Sequence, residues 1–397
     1  MKEIKVVKIR SYNFFKRNKN QRTKTPQKKY LKFLIIIILL LIFRIVFKIR
    51  KKEFNIIERK KNKIYLEKNL TKKKVGVISL DHHKNVGNNL LKYAIYIQLK
   101  NLGVEPYIVG YHIKSNNIDF LKRETKLDIV KNFSNIKPNF YDILMVNSDQ
   151  TWRYWNKRFL DIAFLNFAKN WSIPKFVYGA SIGTEFWTFS KETNKIAKNL
   201  LKNFTDISVR EIGTVDLVKK NLGLNASFVL DPTLLIDKKY YLGIINNYSC
   251  NFNITDDYIV TYKLDITSEM EKFIQKVKKE LKYKIFDLHL SDDDYIEKFL
   301  YGIYHSKGVI TDSYHGTIFS IIFNKPFIVF SNSFRGNERF NTLKVIFGIK
   351  DRFCNKGTIP DINLLKSPLN LDLQYFQYLR NQSINYLEKN LNLVNDK

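Results

Sequence analysis

VGVISLDHHKNVGNNLLKYAIYIQLKNLGVEPYIV, residues 75–109, is the stretch whose reading decides the fold. Val75-Gly-Val-Ile-Ser79 is a short apolar run of the kind that makes a buried strand. A polar loop holding Asn85, Gly87 and Asn88 follows. Leu91, Ile95, Leu99 and Leu102 then recur every three or four residues, the spacing of one helical face, and Gly103 closes the helix. Val104 to Val109 returns as a strand. Strand, crossover helix, strand is the unit of a parallel sheet.

The same alternation continues outward. Tyr141–Val146, Lys175–Ala180, Ile207–Val209 and Phe228–Leu230 read as further strands, each ending in small or polar residues. Residues 237–257 lack strong periodicity and mark a junction. A second series follows: strand Tyr258–Tyr262, helix Ser268–Leu281, strand Lys284–Leu288, helix Tyr295–Tyr304, strand Gly308–Thr311, a loop at His315, a short apolar helix, and strand Phe327–Phe330. The expectation is α/β: two doubly wound Rossmann-like domains, 75–236 and 258–397, facing a cleft. Ligands in such folds bind at the carboxyl ends of the strands.

Length agrees, since 397 residues exceed one ordinary core, and 45% hydrophobic content suffices to bury two. The net charge of +31 is unevenly placed. Residues 1–74 hold 25 of the 68 Lys and Arg and 4 of the 37 Asp and Glu, a net +21, which leaves +10 for the rest. That basic excess flanks Phe33–Phe43, FLIIIILLLIF, an unbroken apolar run. Residues 30–48 are therefore expected to be a single transmembrane span, with a basic tail (1–29) before it and a basic linker (49–74) after it. Lys48, Arg50, Lys51 and Lys52 follow directly where a cleavage site would need small residues, so an uncleaved signal anchor is expected, in the endoplasmic reticulum or Golgi if the cell is eukaryotic. Basic charge gathered around an apolar span argues for membrane over nucleic acid. Two cysteines and six histidines without metal-ligand spacing give no disulfide framework and no expected metal.

Chemistry is expected at the strand ends. His315 follows a strand and precedes a helix near Thr317, where helix amides attract anions. Gly316 would let a ligand approach the backbone, and Asp312 or Ser313 would orient the imidazole or cap the helix. Local pattern alone leaves a structural histidine equally open. Arg210, closing strand Ile207–Val209, has the planar fork that holds a carboxylate or phosphate, although a surface pairing with Glu211 is the simpler reading. Asp231-Pro232-Thr233 reads as a turn. Ser148-Asp149-Gln150-Thr151-Trp152 combines hydroxyl-binding side chains with an indole, as sugar sites do, or as the edge of a core does. Asn85-Val86-Gly87 lacks both the dinucleotide and the P-loop glycine patterns.

Taken in order, these loops resemble the polysaccharide pyruvyl transferase family over about residues 75–342. The resemblance rests on Asn85-Val86-Gly87, Ser148 to Trp152, Ala180-Ser181-Ile182-Gly183, Arg210-Glu211, Asp231-Pro232-Thr233 and Asp312-Ser313-Tyr314-His315-Gly316. Asn88-Asn89 and Asn147 depart from what many relatives carry. The resemblance implies a GT-B-like fold and transfer of the enolpyruvyl unit of phosphoenolpyruvate to two sugar hydroxyls of a glycan, giving a pyruvate ketal. It implies His315 as proton-transfer residue and Arg210 as anion clamp. Donor contacts would come from Ser313, Gly316, Thr317, Lys325 and Arg335, and acceptor contacts from Asn85, Asp149, Gln150 and Trp152. Phosphoenolpyruvate enters as co-substrate, with no cofactor. The rivals are a nucleotide-sugar glycosyltransferase on the same architecture and a non-catalytic glycan-binding membrane protein.

Overall fold

The unit read first in the sequence is the one around which the chain is built. β1 (Lys74–Ser79) is buried along all but its first residue. α1 (Val86–Asn101) starts on Asn85, whose side chain accepts a hydrogen bond from the Asn88 amide and so satisfies one of the helix's orphan donors. β2 (Glu105–Tyr111) then pairs parallel to β1. The computed structural model describes residues 72–79, 85–111, 118–130, 132–147, 149–153, 163–248, 256–288, 295–331, 335–354 and 357–392. The expected membrane span, the basic tail before it and the linker as far as residue 71 lie outside these residues, while Lys74, the last residue of the expected linker, opens β1. Among the described residues no helix is long and apolar enough to cross a membrane.

The first sheet adds α2 (Ile118–Glu124), β3 (Leu127–Val130), β4 (Ile143–Val146), β5 (Lys175–Ala180), α3 (Lys191–Leu201), β6 (Asp206–Val209), α4 (Ile212–Leu222) and β7 (Ser227–Phe228). Its order is β3-β2-β1-β4-β5-β6-β7, so the winding reverses between β1 and β4. α5 (Lys238–Asn246) leads to the second sheet, made with β8 (Tyr258–Tyr262), α6 (Ser268–Leu281), β9 (Lys284–Asp287), α7 (Tyr295–His305), β10 (Gly308–Thr311), α8 (Tyr314–Ile322), β11 (Phe327–Phe330), α9 (Glu338–Phe347) and β12 (Phe353–Cys354). Its order is β12-β11-β10-β8-β9, reversing between β8 and β10. Every recorded strand pair in both sheets is parallel. β4, β5, β8, β10 and β11 are buried throughout, as strands covered by helices on both faces must be.

The expected α/β architecture of parallel, doubly wound sheets is what forms. β3 and β12 were not anticipated. Both are short edge strands, and β3 interrupts its apolar residues with Asp128, which accepts from the Tyr141 hydroxyl at 2.6 Å. The last helix, α10 (Leu373–Asn390), belongs by sequence to the second series, yet it packs on the first sheet. Its Tyr386 hydroxyl donates to the Val177 carbonyl of β5 at 2.8 Å, and its Ser383 hydroxyl accepts from the Leu230 amide at 2.9 Å. These bonds tie the helix to backbone groups of β5 and of the segment after β7.

A continuous core fixes the two sheets relative to each other. It contains Val77 and Phe176 from the first, and Val260 and Val309 from the second. Across the seam, Tyr93 of α1 meets Tyr241 of α5 at 6.3 Å, Tyr241 meets Phe319 of α8 edge-on at 4.9 Å, and Phe319 meets Phe299 of α7 at 5.5 Å. Tilted pairs of this kind contribute about 0.5–1.5 kcal/mol each beyond their buried area. The strand ends of the two sheets are thereby held against one another.

Candidate active site

Polar residues follow the carboxyl end of strand after strand. From the first sheet come Asn85 after β1, Asp149 and Gln150 after β4, Ser181 to Gly183 after β5, Arg210 and Glu211 after β6, and Asp231 after β7. From the second come Asp265 after β8, Ser313 to His315 after β10, and Arg335 and Arg339 after β11. Close backbone packing joins the two sets. Gly336, at φ +90°, has no room for a side chain, since a Cβ there would stand 2.6 Å from the carbonyl carbon of Gly183. Gln150, at φ +44°, donates through Nε2 to the Arg335 carbonyl at 2.9 Å. Gly213 donates its amide at the start of α4 to Glu338 at 3.1 Å, closing that helix end with a carboxylate from the other half.

At the centre lies a buried charge network. Arg210 is fully enclosed, and its two terminal nitrogens pair with Asp149 and Asp231. Burial opposes its charge, but the two carboxylates outweigh burial and hold its pKa above the ordinary value. Arg339 shares Asp149 at 3.3 Å. Burial lowers its pKa, and Arg210 beside it pushes the same way. Both guanidiniums lie over the Tyr314 ring, at 5.1 and 5.0 Å from its centroid. Burial raises the pKa of Glu211, with Arg210 partly offsetting it.

His315 faces this network. Its Nε2 stands 3.8 Å from Asp231 Oδ2, beyond hydrogen-bond length, and has no hydrogen-bond partner. Burial lowers its pKa below the usual imidazole value, although Asp231 and then Asp149 pull the other way, so the ring is neutral near pH 7. Gly87 of α1 lies directly against the ring. A Cβ at Gly87 would fall within 2.6 Å of Cε1 and overlap Nδ1 and Cγ. The Asn-Val-Gly loop of one half is thus shaped around the histidine of the other.

The expected site residues divide sharply. His315, Arg210 and Asp149 come together, and Gln150 and Arg335 meet at the seam beside them. Ser313 caps α8, accepting from the Gly316 amide at 3.3 Å, and Thr317 donates to the Ser313 carbonyl at 3.0 Å. Gly316 is required by Thr311, whose Oγ1 would lie 2.5 Å from a Cβ, so the absence of its side chain makes room for protein. Asp312 does not orient the imidazole. Its carboxylate accepts from the Leu264 and Asp265 amides at 2.7 and 2.8 Å. Asn85 is a helix cap. Trp152 is fully buried against Phe164, which removes it as a sugar platform. Lys325 precedes β11 and neighbours Lys307 and Lys238, at the amino end of the sheet and away from His315. Arg335 forms a forked pair with Asp265 at 2.6 and 3.1 Å. Arg210, expected to clamp an anion, already holds two carboxylates. Asp231 and Arg339 went unrecognised in the sequence.

Among the described residues no group of three or more His, Cys, Asp or Glu is disposed to hold a metal ion. A sequence model of the family described as polysaccharide pyruvyl transferase matches residues 85–333, well over half of the chain. The chain belongs to the polysaccharide pyruvyl transferase family. The matched region spans every residue of the network except Arg339, which enters six residues beyond it. No curated protein sequence matches this family member significantly. Its fold is similar to UDP-GlcNAc 2-epimerase from Neisseria meningitidis bound to UDP-GlcNAc, with a TM-score of 0.50 at 12% identity over 81% of this chain and 100% of the other. A Listeria monocytogenes protein described as a UDP-N-acetylglucosamine 2-epimerase gives 0.50 at 10% identity over 82% and 98%. These likenesses show the α/β GT-B-like fold, with parallel sheets, of the pyruvyl transferase family member.

Proposed function

We propose that this family member transfers the enolpyruvyl unit of phosphoenolpyruvate to two hydroxyls of a glycan, forming a pyruvate ketal and releasing phosphate, with His315 moving the proton. The observation that carries the reading is the buried meeting of His315 with Asp231, pressed on Gly87 and flanked by two guanidiniums. A neutral imidazole accepts the proton of the attacking hydroxyl, and Asp231 stabilises the imidazolium that results. The imidazolium passes that proton to the donor's methylene carbon as C2 bonds to the sugar oxygen. The C2–O bond to phosphate then breaks, phosphate leaves with the electron pair, and the second hydroxyl closes the ketal as its proton passes to the departing phosphate.

The donor carries a carboxylate and a phosphate, so it needs fixed positive charge. Arg339 is the better receptor, because it shares a single carboxylate, Asp149, while the terminal nitrogens of Arg210 are committed to two, Asp149 and Asp231. Arg210 then acts by holding both carboxylates in place. The scheme calls for no metal or cofactor, so activity should survive chelation. Residues 30–48 are proposed to anchor the chain in a membrane, which extraction at high pH would test: the chain should stay with the lipid.

The deciding experiment incubates the purified full-length chain with phosphoenolpyruvate and a panel of glycosides, following phosphate release and the ketal by mass spectrometry. His315→Ala should lose at least about a hundredfold in rate. Sugar transfer from a nucleotide sugar, with no phosphate released from phosphoenolpyruvate by any glycoside, would overturn the proposal.

A further inference from the structure

Among the buried polar atoms without a hydrogen-bond partner, two outside the charge network are neighbours: Ser79 Oγ at the end of β1 and Asn147 Oδ1 just past β4. Ser79 is 0% exposed and Asn147 1%. The two strands are neighbours, with Ile78 paired to Val146, so Ser79 and Asn147 stand side by side. They occupy the switch point of the first sheet, where the winding reverses, the position at which open α/β sheets bind their ligands.

Their direction follows from strand alternation. Val75 and Val77 of β1, and Ile143 and Met145 of β4, all enter the core on the α1 side. Ser79 and Asn147 each come two residues later and turn to the same side. α1 begins there, with Gly87 against the His315 ring. Asn147 is held firmly, since its amide nitrogen donates to the Tyr178 carbonyl at 2.9 Å, which leaves Oδ1 as the idle end.

An unsatisfied buried polar group costs about 1–3 kcal/mol, and folded proteins retain few of them. Two adjacent ones at a switch point imply that something else completes them. Their chemistry says what. Both groups are neutral, and an amide oxygen only accepts, so it repels a carboxylate or phosphate. An alcohol fits: it donates to Asn147 Oδ1 while its oxygen accepts from the Ser79 hydroxyl. We infer that Ser79 and Asn147 form a subsite that reads one hydroxyl of the acceptor sugar, setting acceptor specificity while leaving the anionic donor to the guanidiniums. The inference rests on the pyruvyl-transfer reading.

The test uses the full-length chain, phosphoenolpyruvate, and methyl glycosides of galactose, glucose and mannose, each with its monodeoxy analogues. Wild type should lose at least about tenfold in kcat/KM on one analogue, the one lacking the hydroxyl that is read. In Ser79→Ala, and again in Asn147→Ala, that ratio should collapse towards one, because the parent falls to the level of the analogue while the KM for phosphoenolpyruvate stays unchanged. The ratio is independent of how much enzyme is folded, and Ser79→Ala should keep or raise Tm because it deletes an unsatisfied group. An unchanged ratio in both variants, or a raised KM for phosphoenolpyruvate with the ratio intact, overturns the subsite alone. A wild-type chain that transfers no pyruvyl group to any glycoside sinks the functional reading and the subsite with it.

Discussion

Replacing Gly87 with alanine adds one methyl group, and the structure dictates where it goes. The new Cβ would lie 2.6 Å from His315 Cε1 and nearer still to Nδ1 and Cγ, whereas ordinary contact begins at 3.4 Å. The ring must therefore retreat by more than 0.8 Å. His315 is buried, so it has no free space to enter without shifting its neighbours. Overpacking of this kind costs about 1–3 kcal/mol. Position 87 lies in the first turn of α1, and the better helix propensity of alanine offsets about 0.5–1 kcal/mol of that. The net loss of stability should be small, a few degrees in Tm. The rate should suffer far more, because a misplacement of about 1 Å costs on the order of a hundredfold. Gly243→Ala is the control: no atom lies within 4 Å of its Cβ position, and it sits inside α5, so it should stabilise slightly and leave activity alone. Phosphate release and thermal melting of both variants check this. Gly87→Ala within about threefold of wild-type kcat/KM would refute the placement of the chemistry at His315.

Asp231→Asn removes the largest influence raising the pKa of His315, so that pKa should fall further. A base works when unprotonated, so wild-type kcat/KM should hold through neutral pH and decline on the acid side, below the ordinary imidazole range; in the variant the decline moves to still lower pH, and a pH–rate profile with loss on the alkaline side instead would assign the imidazolium as the acting form. Arg210→Ala strands Asp149 and Asp231 as buried carboxylates without their shared cation, at a cost of about 3–5 kcal/mol. Denaturant unfolding checks this: the midpoint of the variant should fall by the equivalent of that loss.

Strand ends were legible because short apolar runs closed by polar residues have few alternatives between periodic helices. That single rule placed His315, Arg210 and Asp149 in one region. It applied equally to Asp231, which was passed over because Pro232 and Thr233 make a turn there. Both uses are real: one oxygen of Asp231 accepts from the Thr233 amide at 3.0 Å, and the other meets Arg210. Arg339 left no sequence signal, being one charge among several in α9, and only tertiary packing buries it. Trp152 shows the converse, since its neighbours in sequence suggest a sugar site but the side on which an indole falls depends on Phe164 across the fold. Lys325 followed the histidine loop in sequence and so seemed near it, while α8 carries the chain back to the far end of the sheet before β11 begins.

The histidine and the carboxylate that sets its basicity belong to different halves, and so does the glycine that shapes its pocket. His315 follows β10, whereas Asp231 and Gly87 follow β7 and β1. Separating the sheets would expose the imidazole to water and remove Asp231, restoring an ordinary histidine. Only the assembled cleft produces a neutral, oriented base beside two guanidiniums. The same assembly pairs both terminal nitrogens of Arg210 with the protein's own carboxylates. A donor anion that displaced either carboxylate would leave it buried and unpaired, at several kcal/mol. On the proposed reading, binding the donor through Arg339 puts one shared carboxylate at stake, Asp149, where Arg210 would put two. On that reading Arg210 is the fixed post on which Asp149 and Asp231 are hung, with the donor's charge met by Arg339 on the same Tyr314 ring.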